Sequence, residues 1–276
     1  MTTRATWRAY IQYEYDDLTL ETVGSGAPFQ FIDDFVGAGT KTIPSPASAS
    51  IGYAWVSKTA GFSSGSASVA FVSNAPGGQV LCSLVDSASE TAEATLYWND
   101  NLGVNTFNYA AGTANYGQIE FVAQISTLPT TTALIGFGLS SAWVAGSPLS
   151  ESEYLMFYFN SAAPAGQPNC VALDGSATGA QTVNAGTTDA SNAPALVLTT
   201  ASFHVFRIDF NNDADIAFYV DGNRCNPSGS ITWAPGSQAA ATMQPMVKIA
   251  RPSGTGLAAV TVDAVQIFTA RNMTIG

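Results

Sequence analysis

Charge is scarce in this sequence: only 11% of its 276 residues are Asp, Glu, Lys or Arg, against about 25% in an average soluble domain. Lysine is confined to Lys41, Lys58 and Lys248, so neighbours in sequence cannot build a basic face. The net charge of −11 repels phosphate backbones and anionic lipid. Nucleic acid is therefore not an expected partner. Histidine is a single residue, His204, which rules out a three-histidine zinc site by arithmetic. Cys82, Cys170 and Cys225 are too few and too widely spaced for a disulfide framework or a zinc knuckle. They read as buried or reduced thiols, with one bridge left open.

Long apolar runs are also missing. No window approaches the roughly eighteen consecutive apolar residues of a membrane-spanning helix, so no membrane insertion is expected. Near the N-terminus, Arg4 and Arg8 precede Tyr-Ile-Gln-Tyr-Glu-Tyr-Asp-Asp, a polar and acidic stretch where a secretory signal needs an apolar core. Helical periodicity is nearly absent, and Gly, Pro, Ser, Thr and Asn interrupt the chain throughout.

What the sequence does contain is strand pattern. Hydrophobic residues make up 46% of the chain, enough to fold it, and the surface must be finished mainly with neutral polar side chains. Across residues 118–126, Ile119, Phe121, Ala123 and Ile125 fall on one face and Gln118, Glu120 and Gln124 on the other, which predicts a strand with one buried side. Residues 203–210 and 216–220 are two β-rich runs separated by Asn-Asn-Asp-Ala-Asp, which predicts a hairpin. Asp221-Gly222 then predicts another turn before Arg224. Further strands are expected near 94–98, 133–139, 154–159, 196–199, 246–250 and 258–268. Phe62–Ala67 and Gly175–Ser191 read as long surface loops. This succession predicts an all-β, antiparallel sandwich.

Residues 1–30 differ in character. Trp7, Tyr10, Tyr13 and Tyr15 lie among Arg4, Arg8 and acidic residues, and Gly24-Ser25-Gly26 then reads as a flexible joint. The segment is read as an extended N-terminal arm that either attaches to a neighbouring subunit as an added strand or packs on its own domain. Residues 31–276 are read as one domain.

The run Phe203-His-Val-Phe-Arg-Ile-Asp-Phe, the segment Ile216-Ala-Phe-Tyr-Val-Asp-Gly-Asn and the run Val260-Thr-Val-Asp-Ala-Val-Gln-Ile-Phe together resemble the C-terminal half of concanavalin-A-like lectin/glucanase domains. Asp33-Asp34-Phe35, Gly52-Tyr-Ala-Trp55, Gly77-Gly78 and Gly117-Gln-Ile-Glu-Phe-Val-Ala-Gln-Ile look like the opening half of such domains in tailed-phage virion proteins. The resemblance spans roughly residues 31–270 and implies a jelly-roll sandwich. Its members include lectins, polysaccharide-cleaving enzymes and structural modules, so the site must decide among them.

Glycoside hydrolysis needs two carboxylates across one bond, and hydrolases of this fold usually carry them as Glu-x-Asp-x-Glu, which is absent here. The nearest approach is Glu151-Ser-Glu153 at the start of an expected strand, with a solvated strand end as the plainer account. His204 would have to be the base of any Ser-His-Asp arrangement. A packed or hydrogen-bonded strand histidine is the plainer reading. Asp209, Asn211, Asp213 and Asp215 concentrate oxygen ligands that suit Ca²⁺, yet Asn and Asp also dominate ordinary hairpin turns. Sugar-stacking candidates are Trp98 with Asn99 and Asp100, Trp143, and Trp233, each of which suits a core equally well.

These readings converge on a non-enzymatic virion structural protein, a capsid-decoration, head-fibre or tail-accessory component assembled in the host cytoplasm. No cofactor is expected. Its expected partners are other virion proteins, host surface glycans and copies of itself. A carbohydrate- or receptor-binding adhesin is the alternative, and a polysaccharide-degrading enzyme the third reading.

Overall fold

The computed structural model describes residues 29–35, 55–60, 67–73, 75, 78–84, 91–98, 107–109, 117–141, 143–162, 166–174, 179–184, 198–200, 202–233 and 241–269. Sixteen strands run through them in chain order. The first eight are β1 (Phe29–Asp33), β2 (Val56–Ala60), β3 (Ala67–Phe71), β4 (Val80–Leu84), β5 (Ala92–Tyr97), β6 (Phe107–Tyr109), β7 (Gly117–Thr127) and β8 (Leu134–Ser140). The second eight are β9 (Tyr154–Asn160), β10 (Asn169–Leu173), β11 (Gln181–Asn184), β12 (His204–Asp209), β13 (Ala217–Val220), β14 (Asn223–Arg224), β15 (Ala241–Arg251) and β16 (Ala258–Thr269).

They form two eight-stranded sheets. The first has the order β14-β13-β12-β7-β16-β4-β3, with β1 also paired to β16; the second has the order β11-β10-β9-β8-β15-β5-β2, with β6 also paired to β15. Every described pairing is antiparallel. The protein is an all-β, antiparallel jelly-roll β-sandwich, as the sequence predicts.

Alternation explains how the sheets meet. In β7, Ile119, Phe121, Ala123 and Ile125 are buried while the residues between them are half-exposed. Facing them, β8 and β9 supply Phe137 and Phe157 from the second sheet. Phe206 of β12 lies 4.9 Å from the Phe137 ring and 5.2 Å from the Phe157 ring, both edge-on. Edge-on geometry places the positive rim of one ring against the negative face of another, adding about 0.5–1.5 kcal/mol per pair to the area term. Cys82, Cys170 and Cys225 are free and buried, as read from the sequence.

The strands expected around 118–126, 203–210, 216–220 and 258–268 are present, and β12 pairs with β13 as the expected hairpin. Asp221 at φ 50° and Gly222 at φ 79° make the turn into β14. Two local expectations are corrected. The stretch 175–191 is not loop throughout, because β11 adds Gln181–Asn184 to the edge of the second sheet. A strand at 196–199 is not found over Leu198 and Thr199, where Leu198 N–H instead donates to Gly166 O at 3.0 Å; residues 196 and 197 lie outside the described residues. β1 begins at Phe29, so the first sheet takes in the last two residues of the segment read as an arm. Residues 1–28 lie outside the described residues, and with them Arg4, Trp7, Arg8, Tyr10, Tyr13 and Tyr15.

Candidate functional site

The outward face of the second sheet carries a cluster of buried polar side chains: Glu93, Thr95, Glu151 and Lys248. Along β5, Ala94 and Leu96 point into the sandwich core, which sends Glu93, Thr95 and Tyr97 to the other side. Along β15, Val247 and Ile249 are core and Lys248 is sent outward. Lys248 pairs with Thr95 on one side and Gly136 on the other. Residues 141–153, between β8 and β9, cross over this face as a strap.

Hydrogen bonds pinch the strap at its base. Ser141 N–H donates to Glu153 O at 2.9 Å, and Glu153 N–H donates to Ser141 Oγ at 3.2 Å. Closed ends on a short surface segment are the hallmark of an Ω-loop. Ser147 caps a single 3₁₀ turn at Pro148–Ser150, its Oγ accepting from Leu149 N–H at 3.2 Å. A Cβ on Gly136 would lie 2.4 Å from Pro148 Cβ, so the strand beneath needs glycine for the strap to lie down.

Charge locks the middle. Lys248 Nζ donates to Glu151 Oε1 at 2.7 Å and to the carbonyl of Val144, and stands 3.8 Å from Glu93 Oε1. Glu93 in turn accepts from Thr95 Oγ1 at 2.8 Å, Gly146 N–H at 2.9 Å and Trp143 Nε1. The Trp143 ring is covered by Lys58 Nζ, 3.3 Å from its centroid. The Lys248 and Glu151 side chains are completely buried. Burial pushes the Glu151 carboxyl up to about 7, with the Glu93 charge adding to it and Lys248 and the Val144 backbone opposing. A trio of two carboxylates and one ammonium that satisfies its own donors and the strap's backbone works as a clasp. A substrate laid on this face would first have to displace the strap.

The outward face of the first sheet is different: among the described residues it is polar and only partly covered. Register aligns Arg224, Tyr219, Arg207, Glu120, Gln266 and Ile32 in one row across six strands. Arg207 Cζ lies 4.2 Å above the Tyr219 ring. Burial raises the Glu120 carboxyl, and the facing Arg207 charge opposes that rise. Beside the row, Ser126 and Thr261 share a hydrogen bond of 2.7 Å, and Ser68 and Ser83 one of 3.1 Å. Ile32 is 52% exposed at the end of the row.

The residues singled out from sequence are dispersed. Trp98 and Trp233 are core side chains and cannot serve as sugar platforms, since the sandwich interior already covers their rings. Trp143 is half-buried in the strap. Asn99 and Asp100 lie outside the described residues. The proposed Ca²⁺ set does not converge. Asp215 is held by Arg224, with Nη1 at 3.1 Å from Oδ2, and also accepts from Ser228 Oγ and Gly229 N–H. Its carboxyl is lowered to about 2, chiefly by the Arg224 hydrogen bonds. Asp209 accepts from Asn211 N–H, an ordinary turn contact, and Asp213 O accepts from Trp233 N–H. No cluster of three or more His, Cys, Asp or Glu side chains suited to a metal occurs among the described residues.

Glu151 and Glu153 are neither a paired catalytic set nor a solvated strand end. β9 begins only at Tyr154, and Glu151 turns inward to Lys248 while Glu153 closes the base of the strap. His204 Nδ1 lies 2.7 Å from Asp221 Oδ2, and Asp221 Oδ1 also accepts from Val205 N–H, so this pair fastens the β13–β14 turn to β12. Gly61-Phe-Ser-Ser-Gly65 has the spacing of a nucleophile elbow, but the chain continues from it into strand β3, where that motif requires a helix. Residues 61–66 lie outside the described residues.

Glu93 and Lys248 were not singled out from sequence. The available signal was Lys248 itself, a lone charge inside the apolar run Met-Val-Lys-Ile-Ala.

No family model matches the chain, and no curated protein matches it. Among solved structures, the chain is similar to a protein of unknown function, SO2946, from Shewanella oneidensis MR-1, at 12% identity and a TM-score of 0.50, covering 96% of this chain and 95% of that one. It is also similar to alginate lyase A1-II′ of polysaccharide lyase family 7, at 11% identity and a TM-score of 0.48, covering 84% and 94%. A third is the carbohydrate recognition domain of Emp47p, at 10% identity and a TM-score of 0.42, covering 82% and 93%. At such identities the likeness is one of fold alone, and the two looser superpositions add no weight.

Proposed function

We propose that this chain is a non-enzymatic structural component of a tailed-phage particle, acting by adhesion as a capsid-decoration, head-fibre or tail-accessory protein. The observation that carries the reading is the strap. The charged residues of the second sheet's outer face are engaged with one another and with residues 143–151, so that face is a finished surface with no open carboxylate pair among the described residues. Attachment then falls to the N-terminal arm and to sheet edges, with the row on the first sheet presented outward. The segments resembling virion sandwiches support the particle context, and the −11 charge supports a protein rather than a nucleic-acid partner. No described helix is long and apolar enough to cross a membrane.

Co-sedimentation with particles lacking the protein tests the proposal. Retention saturating at a fixed copy number per particle is expected; no retention at any input overturns it.

A second reading, glycan or receptor recognition, is favoured by the Tyr219–Arg207–Glu120 row, which combines an aromatic surface with donors and an acceptor for hydroxyl groups. A glycan panel separates it from the first: binding lost in Tyr219→Ala supports recognition, and an empty panel removes it.

A further inference from the structure

We propose that Cys170 and Cys225 form a redox pair that closes a disulfide between the two sheets when the protein meets an oxidising environment. Cys170 belongs to β10 of the second sheet, and Cys225 directly follows β14 of the first. Both thiols are buried in one interior cluster, where burial and the Cys225 thiol together raise the Cys170 thiol. Independent contacts define the same layer. Cys170 pairs in register with Phe157, and Cys225 N–H donates to Phe218 O at 2.7 Å. Phe157 and Phe218 meet across the interior with ring centroids 5.2 Å apart. On the outer side, Gln181 of β11 clasps Thr232, its Nε2 donating to Thr232 O at 2.7 Å and its Oε1 accepting from Thr232 N–H at 2.9 Å. The two cysteines thus adjoin opposite rings of one aromatic contact between the sheets.

Position along the sandwich matters. Sheets packed face to face stand about 10 Å apart, whereas a disulfide needs Cα atoms roughly 4.4–6.8 Å apart. This pair sits at the flank of the sandwich, where β14 is the last strand of its sheet and β10 the last but one. There the sheets need draw together only locally. Burial and the neighbouring Cys225 thiol push the Cys170 thiol up, which keeps the closed protein unreactive until the two-residue β14 edge opens. Cys82 is the built-in control: it is buried in β4, pushed up to about 12 by desolvation alone, with no thiol acting on it.

With a small-molecule disulfide such as oxidised glutathione as oxidant, the step balances. Cys225 gives up its proton, and its thiolate attacks one glutathione sulfur, forming a mixed disulfide and releasing one glutathione thiolate. Cys170 then gives up its proton, and its thiolate attacks the Cys225 sulfur, releasing the second. Each leaving thiolate takes up one proton, so two protein thiols and one glutathione disulfide become one protein disulfide and two glutathione thiols.

The full-length protein is incubated with oxidised or reduced glutathione at a temperature a few degrees below its melting point, then denatured and alkylated. Chymotryptic peptides are mapped, because no Lys or Arg separates Cys82 from Cys170 and trypsin leaves both on one fragment. The expected result is a Cys170–Cys225 cross-linked peptide, with Cys82 still alkylated and Tm raised by about 5 °C or more. Cys225→Ser is expected to lose both the cross-link and the shift while melting like the parent under reducing conditions. Three alkylated thiols, a persistent glutathione adduct on Cys225, or a link to Cys82 overturns the proposal.

Discussion

Lys248 donates to Glu151 at 2.7 Å across 97 residues of sequence, and both side chains are fully buried. Removing one member of a buried pair strands the other charge, so Lys248→Met is expected to lower unfolding free energy by about 3–5 kcal/mol. The double variant Lys248→Met/Glu151→Leu strands one charge fewer and is expected to return to within about 1–2 kcal/mol of the parent. Urea titration with a coupling analysis decides it, and additive losses would refute the clasp.

The pH dependence of the clasp has a definite sign. The Glu151 carboxyl rises from 4.5 to about 7 on folding, so between those values the folded chain holds a proton that the unfolded chain releases. Stability contributed by this group is complete below about 4.5 and is lost as pH climbs through 7. Relative to Glu151→Gln, the parent should lose on the order of 3 kcal/mol across that window. Parallel curves for the two proteins would refute it.

Asp215 works in the opposite sense. Lowered from 3.8 to about 2 by Arg224, it contributes stability above 3.8 that is lost as pH falls toward 2. Both partners are partly solvated, which holds the contribution to on the order of 1 kcal/mol. Asp215→Asn should remove this acid limb in a pH-dependent melting series and leave the Glu151 slope intact.

Gly136→Ala places a methyl against Pro148 and should cost about 1–3 kcal/mol. Hydrogen–deuterium exchange should quicken at 143–151 and stay unchanged in β7 and β12. Uniform acceleration would mean that the strap is not a separable unit.

Deleting residues 1–28 spares β1 and is expected to leave Tm unchanged while abolishing retention on particles. Arg207→Glu, which reverses charge in the outward row of the first sheet, is expected to weaken retention at least about tenfold if that row makes the contact. Sedimentation and melting measured side by side distinguish lost contact from lost fold.

Strands that face solvent on one side were legible because alternation has a fixed period: β7 and the β12–β13 hairpin follow it, and Asp221-Gly222 marks the next turn. β10 is buried on both sides at most positions and carries no alternation, and β11 is four residues, three of them polar, whose strand state comes from pairing with β10. The strap was illegible for a different reason. Ser-Pro-Leu-Ser-Glu-Ser-Glu is locally polar, and only the distant Lys248 and Glu93 make burying Glu151 tolerable. Trp98 and Trp233 suit a sugar platform and a core alike on sequence, because which side of the chain faces the second sheet is decided by tertiary packing, and both turn inward.

The pairing of β1 with β16 places Phe29 directly opposite Thr269. The first and last described strands are therefore hydrogen-bonded side by side, with the start of β1 and the end of β16 at the same end of their ladder. Pulling on both ends would peel a single β-ladder in zipper fashion and leave the aromatic interior unloaded until those two strands part. Mechanically, force applied at Phe29 and Thr269 meets that one ladder before any other described pairing.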